Sequence, residues 1–556
     1  MPEALPEMPE NPGNSHSPQH RFRAATLALL FGAVLMLGGW WASRDLSAGE
    51  QTPVMNLGGA RLFDQVVAAV TQRYVDSLDA AHVYDMAVEG MLQELGDPYT
   101  TYLAEDRLRR LNEQISGTYA GIGLQIDIRD GWPLVIDPLH GGPSEYAGVV
   151  AGDRIVQIGE ESTRGWTRDE VTRALRGPPD TKVNFVIERG DQRLAFSVMR
   201  GRVHLRAVQR IALLTDGVGY VDVNVFSAQT AEEVQIAVDS LVRLGARSLI
   251  MDLRGNPGGL LEQGVAVAEL FLDPGQSVVQ LRGRPGTTTQ TLTDSTPQRW
   301  PTLPLAVLVD RASASASEIV AGALQDHDRA IVVGLPSFGK GSAQNVYPLT
   351  SGGALRLTIA RWYTPAGRSI NRSPVVDADD ATGAGQAVGL PSDTIKPRFR
   401  TDAGRTVFGG GGITPDILVG DTVLPIPVQA LARAMGKNLG AYRDALAREA
   451  QLQKRNMKTP DEPVTVDMLN SVYKELERHR VAPPREIFDA AMPWIARALG
   501  HEMTRVAFGA EAEFIRRARD DAAMQRAADI LRDAHTPSDV FGTSIKPTIA
   551  SPTPRQ

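Results

Sequence analysis

Cysteine is absent from the chain, which excludes a disulfide framework, a thiol nucleophile and any cysteine zinc site. Histidine is scarce. The nine, His16, His20, His82, His140, His204, His327, His479, His501 and His535, are scattered with no H-x3-H or H-E-x-x-H spacing, so a histidine-rich metal site is not expected; the chemistry that the motifs imply needs no metal or cofactor either. A surplus of positive charge is missing too. The formal net charge is −7 and no basic stripe runs through the body of the chain. A polyanion partner needs such a stripe to release counterions, so nucleic acid is not an expected partner. Long uncharged runs are limited to one, AATLALLFGAVLMLGGWWA, residues 24 to 42.

That run is close to the roughly 20 residues that cross a bilayer as a helix. Arg21 and Arg23 precede it, and the positive-inside rule then keeps residues 1–23 cytoplasmic and exports everything after Arg44, with Trp40 and Trp41 at the outer interface. The alternative is a cleaved signal peptide, but cleavage after Ala42 would put Trp40 where a small residue is wanted. The expectation is a single-pass anchor in the inner membrane, with the folded part in the periplasm.

The chain of 556 residues is too long for one core, so several domains are expected. The reading is a multidomain α/β protein: a disordered tail (1–23), an anchor (24–43), a helical segment (44–106), a β module (107–203), an α/β core (204–420), a helical region (421–540) and a disordered tail (541–556). Apolar spacing of three and four over Leu62 to Leu95 indicates amphipathic helices ending at Gly96-Asp97-Pro98. From Gly117 to Arg200 short alternating strands take over, interrupted by one helix behind the capping box Thr167-x-x-Glu170. Residues 204–420 alternate strand and helix, the grammar of parallel pairing. Two further capping boxes, Thr230 with Glu233 and Ser315 with Glu318, are read as helix starts. Residues 370 to 405 have the composition of a surface loop.

The module at 107–203 resembles a PDZ domain. The stretch Gly121-Ile122-Gly123-Leu124 precedes a strand, and AGVVAGDRIVQIG follows the pattern that family repeats. In such a module successive backbone N–H groups capture a terminal carboxylate while the peptide adds as a strand. Gly121, Ile122, Gly123 and Leu124 are therefore the candidate substrate-tail loop, and the competing reading is a plain turn.

GLPSFGKGSAQ, residues 334–344, poses a choice between holding a phosphate and taking a proton. Gly334 and Gly339-Lys340 are one residue short of a Walker A loop, and its hydroxyl position is Gly341. Such a loop must run into a helix whose N-terminus faces the phosphates, whereas GSAQNVYPLTSGGALRLTIA alternates as a strand does. A lysine acts as a base only when neutral. Its pKa must then fall from about 10.4 toward 7, roughly 4 kcal/mol against the ammonium form. Desolvation can supply this. Phe338, Gly339 and Gly341 are uncharged and are expected to give an apolar wall, and no carboxylate lies within three residues of Lys340.

Upstream, DRASASASEI offers Ser313, Ser315 and Ser317 at the junction of a strand and a helix, and the pattern alone does not choose among them. Together with F-G-K-G-x-x-Q, LGDPYTTYL, DLRGNPGG, YTPAGRSI and GGGGITPDI, the chain from Leu62 to about Asp416 resembles the C-terminal processing peptidase (tail-specific protease) family. The resemblance implies a crotonase/Clp-protease-like α/β core with an inserted PDZ-like module. It implies a serine–lysine endopeptidase in which Ser315 matches the nucleophile, Lys340 the base and Gln344 the residue that helps to hold the lysine. At a helix start the Ala316 amide is free to form half of an oxyanion hole, and the resemblance assigns the other half to Gly258, with Gly259 the alternative. The expected partners are proteins with exposed C-terminal tails and a second copy of the chain, with an adaptor on the C-terminal helices. A catalytically silent PDZ scaffold is the alternative reading. A Ser-His-Asp arrangement through His327 with Asp326 or Asp328 is disfavoured, because a helix of 1.5 Å per residue separates His327 from Ser315.

Overall fold

The computed structural model describes residues 57–287, 289–350, 352–372, 396–420 and 425–542. The expected N-terminal tail and anchor lie outside the described residues, as do most of the surface loop after Ile370 and the chain beyond 542. Among the described residues no helix is long and apolar enough to cross a membrane.

Two compact units divide the chain between Glu94 and Leu95. The first contains helices α1 (Leu57–Arg73) and α2 (Ala80–Glu94), which meet through the rings of Phe63 and Tyr84, 6.0 Å apart.

The second unit opens with strand β1 (Thr101–Leu103) and helix α3 (Glu105–Ser116). Residues 101–103, expected within a helical segment, extend instead because a strand of the core pairs with them. The β module follows as β2 (Thr118–Gly121), β3 (Leu124–Arg129), β4 (Trp132–Pro138), the short α4 (Pro143–Tyr146), β5 (Arg154–Ile158), β6 (Glu161–Ser162), α5 (Arg168–Leu175), β7 (Lys182–Arg189), β8 (Gln192–Met199) and β9 (Gly201–His204). Strands β3-β4-β5-β7-β8 form an antiparallel sheet with β6 on β5, and β2 pairs with β9 as a separate ribbon. Alternation turns Ile155, Phe185 and Ile187 inward against Val171 and Leu175 of α5. The box that opens α5 is reciprocal: Glu170 N–H donates to Thr167 Oγ1 (3.3 Å) and Thr167 N–H to the Glu170 carboxylate (2.6 Å).

The core runs β10 (Val208–Leu213), β11 (Val218–Val223), α6 (Thr230–Arg243), β12 (Ser248–Asp252), α7 (Leu261–Glu269), β13 (Ser277–Arg282), β14 (Gln290–Thr293), β15 (Leu305–Val309), α8 (Ala316–Asp326), β16 (Ile331–Gly334), β17 (Ser342–Leu349), β18 (Gly353–Tyr363), β19 (Arg398–Arg400), β20 (Thr406–Phe408) and β21 (Ile417–Leu418). Its central sheet has the order β10-β11-β12-β15-β16-β21. Every pair from β11 onward is parallel, and only β10 joins antiparallel. A second sheet, β1-β18-β13-β14 with β17 on β18, stands beside it.

One expected cap is replaced. Thr230 is the first residue of α6 rather than its cap; its hydroxyl accepts from Ser227 N–H (2.8 Å), while Glu233 turns to His204 Nε2 (2.7 Å) and Val208 N–H (3.0 Å).

Beyond the core come α9 (Ile426–Met435), α10 (Leu439–Gln453), α11 (Val466–Arg478), α12 (Arg485–Phe508), α13 (Ala510–Asp520) and α14 (Ala522–Arg532). The first four enclose their own apolar interior around Phe488, Ile495 and Leu499. Helices α13 and α14 instead cover the second face of the central sheet. Phe514, Met524, Ala527 and Leu531 pack on Tyr220, Ile250, Leu308 and Val333.

Candidate active site

Three strand ends of the central sheet deliver the site. In an open parallel sheet the loops at the carboxyl ends of the strands form a crevice. Here β12 feeds the loop 253–260, β15 the turn that enters α8, and β16 the loop that carries Lys340. The chain after Lys340 is strand β17, not a helix, so the lysine loop does not run into a helix as a phosphate loop must.

The three serines have different fates. Ser313 and Ser317 are fully buried, and their hydroxyls donate to the carbonyls of Leu253 (2.8 Å) and Asn256 (3.0 Å). Ser315 stays half-buried at the N-terminus of α8, with φ 55° and ψ −114°. For a residue with a side chain that backbone is strained by about 1–3 kcal/mol. It is held by bonds on both sides: Ser315 N–H donates to Glu318 Oε2 (2.8 Å), and its carbonyl accepts from Glu318 and Ile319 N–H (2.9 and 3.0 Å).

Glu318 is the junction of the site. Its carboxylate is buried and also accepts from Ser337 Oγ (2.5 Å), Gly339 N–H (2.7 Å) and Lys340 N–H (2.9 Å). Burial pushes its pKa up, against the donors that hold it down. Ser315 and Lys340 share the acceptor Oε2, so their backbone nitrogens lie no farther apart than the two bonds together. Phe338 N–H donating to the Ser313 carbonyl (2.9 Å) closes the staple. The S-x-x-E spacing reveals Glu318 as a cap; its second role, anchoring the lysine loop, has no signal in the spacing.

Lys340 is half-buried. Burial lowers its pKa first, the Arg356 cation adds to this, and Glu318 and Asp97 oppose it. Sequence distance therefore misleads: carboxylates remote along the chain do act on the lysine, and burial outweighs them. The wall also differs from expectation. Phe338 is 44% exposed, and the ring that faces the amine belongs to Tyr99, its centroid 5.0 Å from Nζ. Strand β1 brings it there by pairing with β18, and Arg356 Nε fastens the segment by donating to the Tyr99 carbonyl (3.1 Å).

Gln344 donates from Nε2 to Ser342 Oγ (2.9 Å) and Thr358 Oγ1 (3.4 Å). Thr358 N–H in turn donates to Thr100 Oγ1 (3.1 Å), and Thr100 Oγ1 to Asp97 (2.6 Å). These contacts tie Gln344 to the segment that carries Tyr99.

Ala316 is the first residue of α8, and its amide is one of the donors a helix start leaves without an intrahelical partner. Gly258 stands against it at φ 92°; a Cβ there would lie 2.7 Å from Ser315 Cβ and 2.9 Å from Ala316 N. The Gly258 amide donates to Asn256 Oδ1 (2.8 Å) within its own loop. Gly259 bridges to Phe226. His327 caps the far end of α8 and contacts Asp402 and the Ser277 carbonyl, 2.7 Å each, away from Ser315.

In the β module, Gly121 ends β2, Ile122 is buried, Gly123 has φ 74° and Leu124 begins β3. Ile122, Gly123 and Leu124, but not Gly121, line a groove of about 580 Å³ between β3 and α5, together with the cations Arg168, Arg176 and Arg206. The Tyr119 hydroxyl meets the Gly123 amide, and its pKa is raised by burial.

Comparison with known proteins adds the following. The family description "Peptidase family S41" matches residues 217–379, "PDZ domain" residues 135–189, and "Activating protease CtpB N-terminal domain" residues 43–107. The Carboxy-terminal processing protease CtpA of Bacillus subtilis is 33% identical over 321 residues, 57% of this chain and 68% of that protein. A Probable CtpA-like serine protease of Staphylococcus haemolyticus is 30% identical over 367 residues, 65% of this chain and 74% of that protein. Among solved structures, the photosystem II D1 C-terminal processing protease is 28% identical, with a TM-score of 0.36 over 68% of this chain and 97% of its own. The chain belongs to peptidase family S41, as a carboxy-terminal processing serine endopeptidase with a PDZ domain.

Proposed function

We propose that this endopeptidase works through a serine–lysine dyad of Ser315 and Lys340, held in the inner membrane by residues 24–43 with its catalytic part in the periplasm. The shared Glu318 carboxylate carries the reading. It ties the backbone of the strained serine to that of a lysine whose ammonium form is disfavoured by burial. Neutral Lys340 takes the Ser315 proton as Oγ attacks the scissile carbonyl, and the lysine returns it to the leaving amine. The Ala316 amide, with the Gly259 amide opposite because that of Gly258 already donates to Asn256 Oδ1, stabilises the tetrahedral oxyanion. A protein tail enters the groove beside Gly121–Leu124, whose amides and flanking arginines suit a terminal carboxylate. Gln344 steadies the strand pair beside the lysine. The uncharged run after Arg21 and Arg23 supports the anchor, and exposed Leu62, Val66, Val75 and Met91 support self-association.

The test is hydrolysis of an unstructured protein substrate by the full chain, followed against pH. Ser315→Ala and Lys340→Ala are each expected to silence cleavage without changing the melting midpoint. Because the base must be neutral, the rate should rise with pH through a midpoint below the ordinary lysine value of about 10.4. Full cleavage by either variant would overturn the dyad.

A further inference from the structure

The loop that holds Gly258 is anchored from outside the peptidase-family match. Asp252, at the end of β12, takes the Arg254 guanidinium on both oxygens, from Nε (2.9 and 3.1 Å) and Nη2 (2.7 Å), and also takes the Arg254 amide (3.0 Å). The remaining arm of the guanidinium, Nη1, reaches Asp521 Oδ2 at 2.7 Å. Asp521 stands at the start of α14, where its Oδ1 accepts from Ala523 and Met524 N–H, 3.0 Å each. One oxygen caps the helix and the other grips the arginine.

From Arg254 the contacts run on to the reacting groups. Gly255 N–H donates to Asp310 (3.0 Å), Asn256 Nδ2 to the Val223 carbonyl (2.7 Å) and Gly258 N–H to Asn256 Oδ1 (2.8 Å). The Asn256 carbonyl accepts from Ala314 N–H and Ser317 Oγ, 3.0 Å each. These two residues flank Ser315 and Ala316. We infer that Asp521 is a positioning residue for peptide cleavage: through Arg254 it sets the Asp252–Gly258 loop against Ser315 and Ala316, so the C-terminal helices are part of the catalytic apparatus. The inference rests on Ser315 as nucleophile and on the 258–259 loop as its oxyanion partner.

Asp521→Asn isolates the contact, since asparagine caps a helix about as well as aspartate but cannot pair its charge with Arg254. Hydrolysis of a fluorogenic peptide with a free carboxyl terminus would be measured on the full chain, alongside thermal melting. For Asp521→Asn, kcat is expected to fall about tenfold or more, as displacement of a reacting group by a fraction of an ångström does, with KM and melting midpoint little changed. Asp521→Glu should recover most of the loss, and labelling of Ser315 by a fluorophosphonate should slow in parallel with kcat. Unchanged kcat in Asp521→Asn, with Ser315→Ala silent, would overturn the inference alone. So would a loss that tracks unfolding. Cleavage surviving Ser315→Ala would remove the dyad on which it stands.

Discussion

At the scale of single residues, one buried carboxylate holds the two reacting groups in place. Glu318 offers four hydrogen-bond contacts inside the fold, to Ser315, Ser337, Gly339 and Lys340. Glutamine keeps the shape but has one acceptor oxygen and adds two donors that face donors. Glu318→Gln is therefore expected to cost about 2–4 kcal/mol in urea unfolding and to lower kcat about 100-fold as the serine and lysine loops part. Unchanged stability together with unchanged kcat would show that the carboxylate is not the junction. The spacing Ser315-x-x-Glu318 announces a helix cap, and α8 does start there. The contacts of Glu318 with Gly339 and Lys340 were not legible, because they join residues more than twenty positions apart by the packing of two strand ends.

At the scale of elements, chemistry is shared among loops that follow parallel strands, and their fit is close. The Gly258 loop meets the N-terminus of α8 with no space for a side chain. A methyl group there would come within 2.6 Å of the Ala314 carbonyl oxygen, and the φ of 92° already disfavours any L-residue. Gly258→Ala should lower kcat about 100-fold and destabilise the chain by about 1–3 kcal/mol, read by hydrolysis and by chemical unfolding. Wild-type turnover would mean that this loop does not face the oxyanion. Strand and helix alternation across 204–420 was readable because apolar periodicity changes between the two kinds of element. Strand β1 was not: three residues carry no usable period, and their extended form comes from pairing with β18.

At the scale of the whole molecule, apolar surface is distributed unevenly. Helices α13 and α14 cover the second face of the central sheet, whereas α1 and α2 present Leu62 and Met91 at 62% exposure each, and the turn between them Val75 at 87%. Apolar side chains displayed together on short helices favour association, since burial gains about 25 cal/mol per Å². Sedimentation velocity of the segment from residue 44 onward is expected to show an oligomer, and Leu62→Asp with Met91→Asp to shift it toward the monomer. A monomer in the unsubstituted chain at working concentration would remove the idea.

The amino-acid sequence by itself determined the kind of chemistry and where along the chain it lies. Short-range pattern carries that information: a serine run at a strand–helix junction, a lysine between glycines ahead of a strand, the PDZ-like glycine loop and the uncharged run after two arginines. Tertiary structure alone decided which neighbours those groups have. It buried Ser313 and Ser317 and left Ser315 at the site, placed Tyr99 rather than Phe338 beside Lys340, and brought Asp521 to Arg254. Burial and electrostatic coupling depend on distances in space, and these arise only when strands far apart in sequence pack together.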